Sequence, residues 1–259
     1  MKIVADTHVH LYPCHVPESL FSCEFRNLAR FDKEAVKLLF MTESTDCHYF
    51  RDMREGRAAC PLPGTLCEVG DEGEVIVLKR GPAAEMYVFA GRQIVTSERL
   101  EVLALTLDRS FADGEPAAAT IRSVLEAGGV PVLAWAPGKW LFGRGRTVER
   151  LLELFRPGEL LIGDTSLRPA PWPEPGLMRR ARRCGLAVLA GSDPLPLPGE
   201  EIIAGSFATL LEIDFDGQRP VASIRTALRT PGVRAERVGR RCGLLEATSR
   251  LRKHMLGSH

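Results

Sequence analysis

The chain has 259 residues, 45% of them hydrophobic and 26% charged, which fits one large globular domain or two small ones and excludes a disordered chain. Lys and Arg number 34 against 33 Asp and Glu, so a net charge of +1 supplies no global field for DNA or an anionic membrane, and neither is an expected partner. No run approaches the ~18 apolar residues of a membrane span. Asp6 and His8 interrupt the apolar run at the N-terminus early, so export by a signal peptide is not expected. The seven cysteines form no C-x-x-C pair, so reduced thiols and a cytoplasmic location are expected.

In chain order, residues 2–5 are an apolar run that reads as a first strand, closing in Asp6-Thr7-His8-Val9-His10. A helix is expected over 31–40, running into a second strand at 38–42, followed by a Cys-, Pro- and Gly-rich loop at about 52–71. Cys60 and Cys67 flank a Pro-Gly turn in that loop and could join or bind metal, although loop cysteines usually do neither. The runs 74–79, 86–96 and 100–107 are β-like, and their closeness predicts antiparallel pairing. Helices then alternate with strands: helix 116–127, strand 130–134, helix 148–155, strand 160–163, helix 176–184, strands 186–190 and 204–213, helix 221–229. The alternation predicts a parallel sheet covered by helices, either a barrel or an open sheet.

Several strands end in polar clusters: Asp6/His8/His10, Thr42/Glu43/Ser44, Trp135/Lys139, Asp164/Arg168 and Asp193. In parallel α/β folds such carboxyl ends converge on the ligand site. His8 and His10, two apart on a strand, project from one face and could grip a divalent cation with Asp193 completing the shell. The competing reading is a hydrogen-bonded pair of interior histidines.

The start D-T-H-V-H-L, the later A-G-S-D-P and the stretch between them resemble the PHP (polymerase and histidinol phosphatase) superfamily over nearly the whole chain. Gly91, Leu103-Ala104-Leu105, Gly128-Gly129, Val132-Leu133-Ala134 and Gly191-Ser192-Asp193 carry the framework in order. The resemblance implies a distorted (β/α)7 barrel in one domain spanning 1–259, with a β-rich insertion at about 51–98. It also implies a one- to three-metal centre that hydrolyses phosphoesters. Glu43 and Ser44 stand where the family has T-D-H, Gln93 stands for its Glu and Glu101 for the following His. Trp135 and Leu195 replace two further histidines. His8, His10 and Asp193 remain as family ligands; Glu43 and Glu101 can substitute for lost ones, whereas Gln93 and Trp135 are poor ligands. The expected cofactor is thus Zn, Mn or Fe, as one ion or none.

Lys139 and Arg168 offer a point charge and a planar fork to an anion, Asp164 can orient one of them, and Trp135 can stack on a planar group. Lys139, Asp164 and Arg168 are expected to face the cavity of His8, His10 and Asp193. His15, His254 and His259 read as surface groups and His48 as a loop histidine. The first functional reading is a metal-dependent phosphoester hydrolase in which Asp193 or Glu43 takes a proton from metal-bound water. The alternative is a non-catalytic barrel that binds a small anionic or aromatic ligand. Either way a small molecule is the expected partner, an anionic substrate in the first reading and an anionic or aromatic ligand in the second.

Overall fold

Strands rich in Val, Ile, Leu and Phe present alternate residues to two faces, and this chain buries both. The computed structural model describes residues 1–257, so the expected surface position of His259 lies outside the described residues. The first half contains β1 (Lys2–Val9), α1 (Pro17–Ala29), β2 (Val36–Glu43), α2 (Tyr49–Arg54), β3 (Leu66–Val69), β4 (Val75–Arg80), β5 (Ala83–Val95) and β6 (Glu101–Leu105). There follow α3 (Ala117–Glu126), β7 (Val130–Ala134), α4 (Gly143–Leu154), β8 (Leu161–Thr165), α5 (Gly176–Arg183) and β9 (Val188–Gly191). The chain closes with β10 (Phe207–Glu212), α6 (Pro220–Arg229), β11 (Ala235–Gly239) and α7 (Leu244–Gly257).

The strands lie in the order β11-β10-β1-β2-β5-β6-β7-β8-β9. β1, β2 and β5 are parallel, as are β7, β8 and β9. β6 runs against both its neighbours and so brings its first residue, Glu101, to the end where the others finish. β9 returns to β1 without a regular ladder: the Thr7 hydroxyl donates to the Ala190 carbonyl at 3.1 Å, and the Asp193 N–H donates to the His8 carbonyl at 2.8 Å. The result is a mixed α/β, nearly closed and distorted barrel, as expected. Ile3, Ala5, Phe40, Phe89, Leu103, Val132, Leu161 and Leu189 fill it, with Phe40 and Phe89 stacked at 4.9 Å between centroids. Outward residues such as Leu133, Ile162 and Val188 pack against Ile121, Val148 and Met178 of the helices. Each such side chain contributes about 1.5–3 kcal/mol on burial.

The structure departs from the sequence expectations in particular places. Residues 31–35 form a turn, not a helix, because Asp32 accepts the N–H groups of Glu34 (3.0 Å) and Ala35 (3.2 Å). The helix of this region is α1, started by Pro17 and an acidic first turn at Glu18. Within the stretch 51–98, β3 and β4 form an offshoot, while β5 is a wall strand paired with β2 and β6. β10 lies antiparallel to β1, and β11 extends it. Among the described residues no helix is long and apolar enough to cross a membrane.

Candidate metal centre

A bulge re-aims the end of β1. Ile3 and Ala5 face the barrel interior, but the register shifts between Asp6 and Val9, and Val9 and Leu11 then pack on the outer side. This change of parity turns His8 and His10 inward. Their Nε2 atoms lie 2.9 Å apart, and the Gln93 carbonyl oxygen lies 3.0 Å from that of His8. Asp193 Oδ1 stands 3.7 Å and 3.8 Å from the two imidazole nitrogens. Among the described residues, His8, His10 and Asp193 are the one group of His, Cys, Asp and Glu side chains placed to hold a metal ion, with ligand atoms within 4.8 Å of one another.

Close backbone approach makes this possible. A Cβ on Gly191 would lie 2.4 Å from His8 Cβ, so only glycine lets β9 come this near β1. Two residues on, Asp193 adopts a left-handed φ of 52°, a conformation uncommon outside glycine and tolerated best by Asp and Asn. The Thr165 hydroxyl donates to Asp193 Oδ2 at 3.0 Å and leaves Oδ1 toward the histidines. Asp6 is buried beneath them and accepts N–H bonds from His8 (3.2 Å), Ser192 (2.9 Å) and Gly205 (2.9 Å). It is therefore a tie between segments, and burial pushes its carboxyl up to about 6 against those hydrogen bonds.

The donor set fits a cation. One imidazole N–H cannot satisfy both its histidine neighbour and the Gln93 carbonyl, and His10 Nδ1 is buried with no partner. Three ligand atoms thus lie within 4.8 Å of one another, with the Gln93 side-chain oxygen beside His8 Nε2. Burial, reinforced by His8, holds His10 down at about 3, so its imidazole is neutral and able to ligate at physiological pH. Asp193 is the most accessible of the three, 13% exposed against 5% and 2% for the histidine side chains.

The other expected site residues are distributed more widely. Glu43 shares the outward face of Leu39 and Met41, accepts the Phe50 N–H at 3.0 Å and lies 3.4 Å from Arg92. It does not join the metal cluster, and burial pushes its carboxyl up to about 7. Glu101 also stays outside the cluster, 2.9 Å from Lys139, with Lys139 partly exposed. Trp135 is not a stacking platform: with Ala134 facing the barrel, the next side chain turns outward into the cluster of Trp140, Val148 and Met178. The expectation that Asp164 and Arg168 face the metal cavity is corrected for the same reason of parity. Thr165 reaches Asp193, so Asp164 points away, where Arg168 grips it at 2.6 Å and 2.8 Å and Arg237 at 2.7 Å. His15 is buried and bonds the Leu195 carbonyl at 2.9 Å, contrary to its expected surface position, whereas His48 is exposed.

Three neighbours of the centre escaped sequence reasoning. Gln93 reads as a poor ligand from its residue type, but its position brings its side-chain oxygen to His8. Thr165 was masked by the acidic residue before it. Tyr12 continues the period of two from His8 and His10, and its ring lies 5.2 Å from His10. Burial and then Asp193 push its phenol well above the usual range.

No protein-family model matches the chain, and no curated protein matches it. Solved structures do. PsfC from Pseudomonas syringae PB-5123 aligns over 99% of this chain and 97% of its own, at 16% identity and a TM-score of 0.58. The lesion-specific endonuclease PfuEndoQ from Pyrococcus furiosus aligns over 92% of this chain and 59% of its own, at 11% identity and a TM-score of 0.51. Endonuclease Q in complex with a 27-mer duplex substrate with an abasic lesion at the active site aligns over 88% of this chain and 57% of its own, at 11% identity and a TM-score of 0.52. The chain thus spans under two thirds of the Endonuclease Q structures. These likenesses define a PHP-like fold. They also overturn the exclusion of nucleic acid drawn from net charge, since Endonuclease Q holds a DNA duplex.

Proposed function

We propose that the protein is a metal-dependent hydrolase of the PHP type that acts on a phosphoester with a reduced metal site. The observation that carries this reading is the cluster of His8, His10 and Asp193, with the Gln93 side-chain oxygen 3.0 Å from His8 Nε2. These residues would hold a Zn, Mn or Fe ion, which when bound lowers the pKa of a water and polarises a phosphoryl oxygen. Asp193, fixed by Thr165 and 13% exposed, would take a proton from the attacking water. Glu43 lies on the other face of β2, where it accepts the Phe50 N–H and neighbours Arg92, and takes no step on the reacting atoms.

At the rim, Lys139 is held by Glu101 in a partly exposed pair. Such a pair is worth only about 0–1 kcal/mol, so Lys139 can leave it for an anionic substrate. The Endonuclease Q likeness adds polynucleotide esters to the small phosphoesters to be tried. The test is hydrolysis of p-nitrophenyl phosphate, bis(p-nitrophenyl) phosphate and an abasic DNA duplex with added Zn, Mn or Fe. Turnover of at least one ester should require metal and fall about 100-fold in His10→Ala. No metal-dependent turnover of any of the three contradicts the proposal.

A further inference from the structure

Away from the metal centre, the β3–β4 offshoot carries two thiols. Cys60 and Cys67 are both free, half-buried and packed against the apolar cluster of Leu62, Ile76, Leu78 and Met86. The chain between them doubles back, because the Thr65 N–H (3.2 Å) and hydroxyl (2.7 Å) both donate to the Leu62 carbonyl. Cys60 Sγ then lies 3.1 Å from Thr65 Oγ1. Residues 65 and 67 lead into and enter β3, where side chains two apart share a face. The contact with Thr65 therefore sets the Cys60 sulfur on the side from which Cys67 projects. Cys67 registers that neighbour: burial first, then Cys60, push its thiol up to about 12. Tyr49 of α2 is close enough to feel both sulfurs.

We propose that Cys60 and Cys67 form a dithiol site that closes reversibly to an intramolecular disulfide by exchange with a small-molecule disulfide such as glutathione disulfide. Cys60 attacks first, since burial keeps the Cys67 thiol protonated. Its thiolate sulfur displaces one glutathione thiolate and leaves a mixed disulfide on Cys60. Cys67 then gives up its proton, its sulfur attacks the Cys60 sulfur, and the second glutathione leaves as a thiolate. Two protein thiols are oxidised, one disulfide is reduced to two thiols, and no other reactant is needed. The fold supplies what the sequence spacing alone does not: a turn and a shared strand face that raise the effective concentration of one thiol at the other.

The experiment uses the full chain. Reduced protein is equilibrated in glutathione redox buffers, either folded or unfolded in urea, then acid-quenched, alkylated with N-ethylmaleimide and digested with trypsin. Residues 58–79 emerge as one tryptic peptide in which Cys60 and Cys67 are the only cysteines. In folded protein this peptide should appear two hydrogens lighter and unalkylated, with an equilibrium constant for closure at least about tenfold above that in urea. Three results overturn the proposal: a doubly alkylated peptide in every buffer, a glutathione adduct that does not close, or a folded-to-urea ratio below tenfold.

Discussion

Replacing Arg168 by Ala removes one arm of a buried three-way ion pair. The Asp164 carboxylate is fully buried and accepts two bonds from Arg168, at 2.6 Å and 2.8 Å, and one from Arg237 at 2.7 Å. Arg168 also donates to the Trp172 carbonyl at 3.1 Å. A hydrogen bond to a charged group contributes about 1.5–3 kcal/mol, and stripping one partner from a buried pair costs about 3–5 kcal/mol. Arg237 still neutralises part of the charge, so the lower end, about 3 kcal/mol, is expected. Urea unfolding of the full chain in EDTA, with and without the substitution, measures it. The double variant Asp164→Leu/Arg168→Leu should recover part of the loss, because no charge is left buried without a partner. Inorganic phosphate should bind Arg168→Ala and the wild type alike. A variant within about 0.5 kcal/mol of wild type that has lost phosphate binding would refute the structural role and return Arg168 to the site.

Thr165→Val should lower metal affinity about tenfold, through a mis-set Asp193, as competition with a chromophoric chelator would show; unchanged affinity argues against that role. Gly191→Ala should lose about 1–3 kcal/mol in urea unfolding, because the new methyl would meet His8 Cβ and backbone; a neutral substitution would mean that β1 and β9 are further apart than described. Glu43 carries a proton in the folded state up to about pH 7 that the unfolded chain releases above the ordinary glutamate value of 4.5. Its contribution is therefore present below pH 4.5 and lost as pH rises through 7, on the order of 3 kcal/mol at ~1.4 kcal/mol per unit. Glu43→Gln should unfold with a flatter stability profile between pH 5 and pH 8, and an equally steep one would count against a buried, protonated Glu43.

The sequence made the strand-end histidines and Asp193 legible, because a period of two and the carboxyl ends of strands are local and topological signals. What it hid was parity. Trp135 and Asp164 stand at strand ends as the polar-cluster argument requires, yet each follows a residue that already faces inward, Ala134 and Gly163, and so points away. The bulge in β1 reverses the same count in favour of His8 and His10, and nothing in the local pattern announces it. α1 escaped notice because Glu24 and Asn27 interrupt its apolar face. Asn27 spans to the Ala204 carbonyl at 2.8 Å, and burial pushes the Glu24 carboxyl well above its usual range. Net charge could not carry the exclusion of nucleic acid for a different reason: a sum over the chain says nothing of the charge at one rim.

The central claim is that His8, His10, Asp193 and Gln93 form a metal site, and metal content tests it most directly. Purified chain is supplemented with Zn, Mn or Fe, freed of unbound ion by gel filtration and measured by inductively coupled plasma mass spectrometry. Wild type should retain about one equivalent of at least one of these metals, and the His8→Ala/His10→Ala variant, shown to be folded by circular dichroism, less than about 0.1. Wild type below about 0.1 equivalent of all three after supplementation, or a variant that retains as much as wild type, would contradict it.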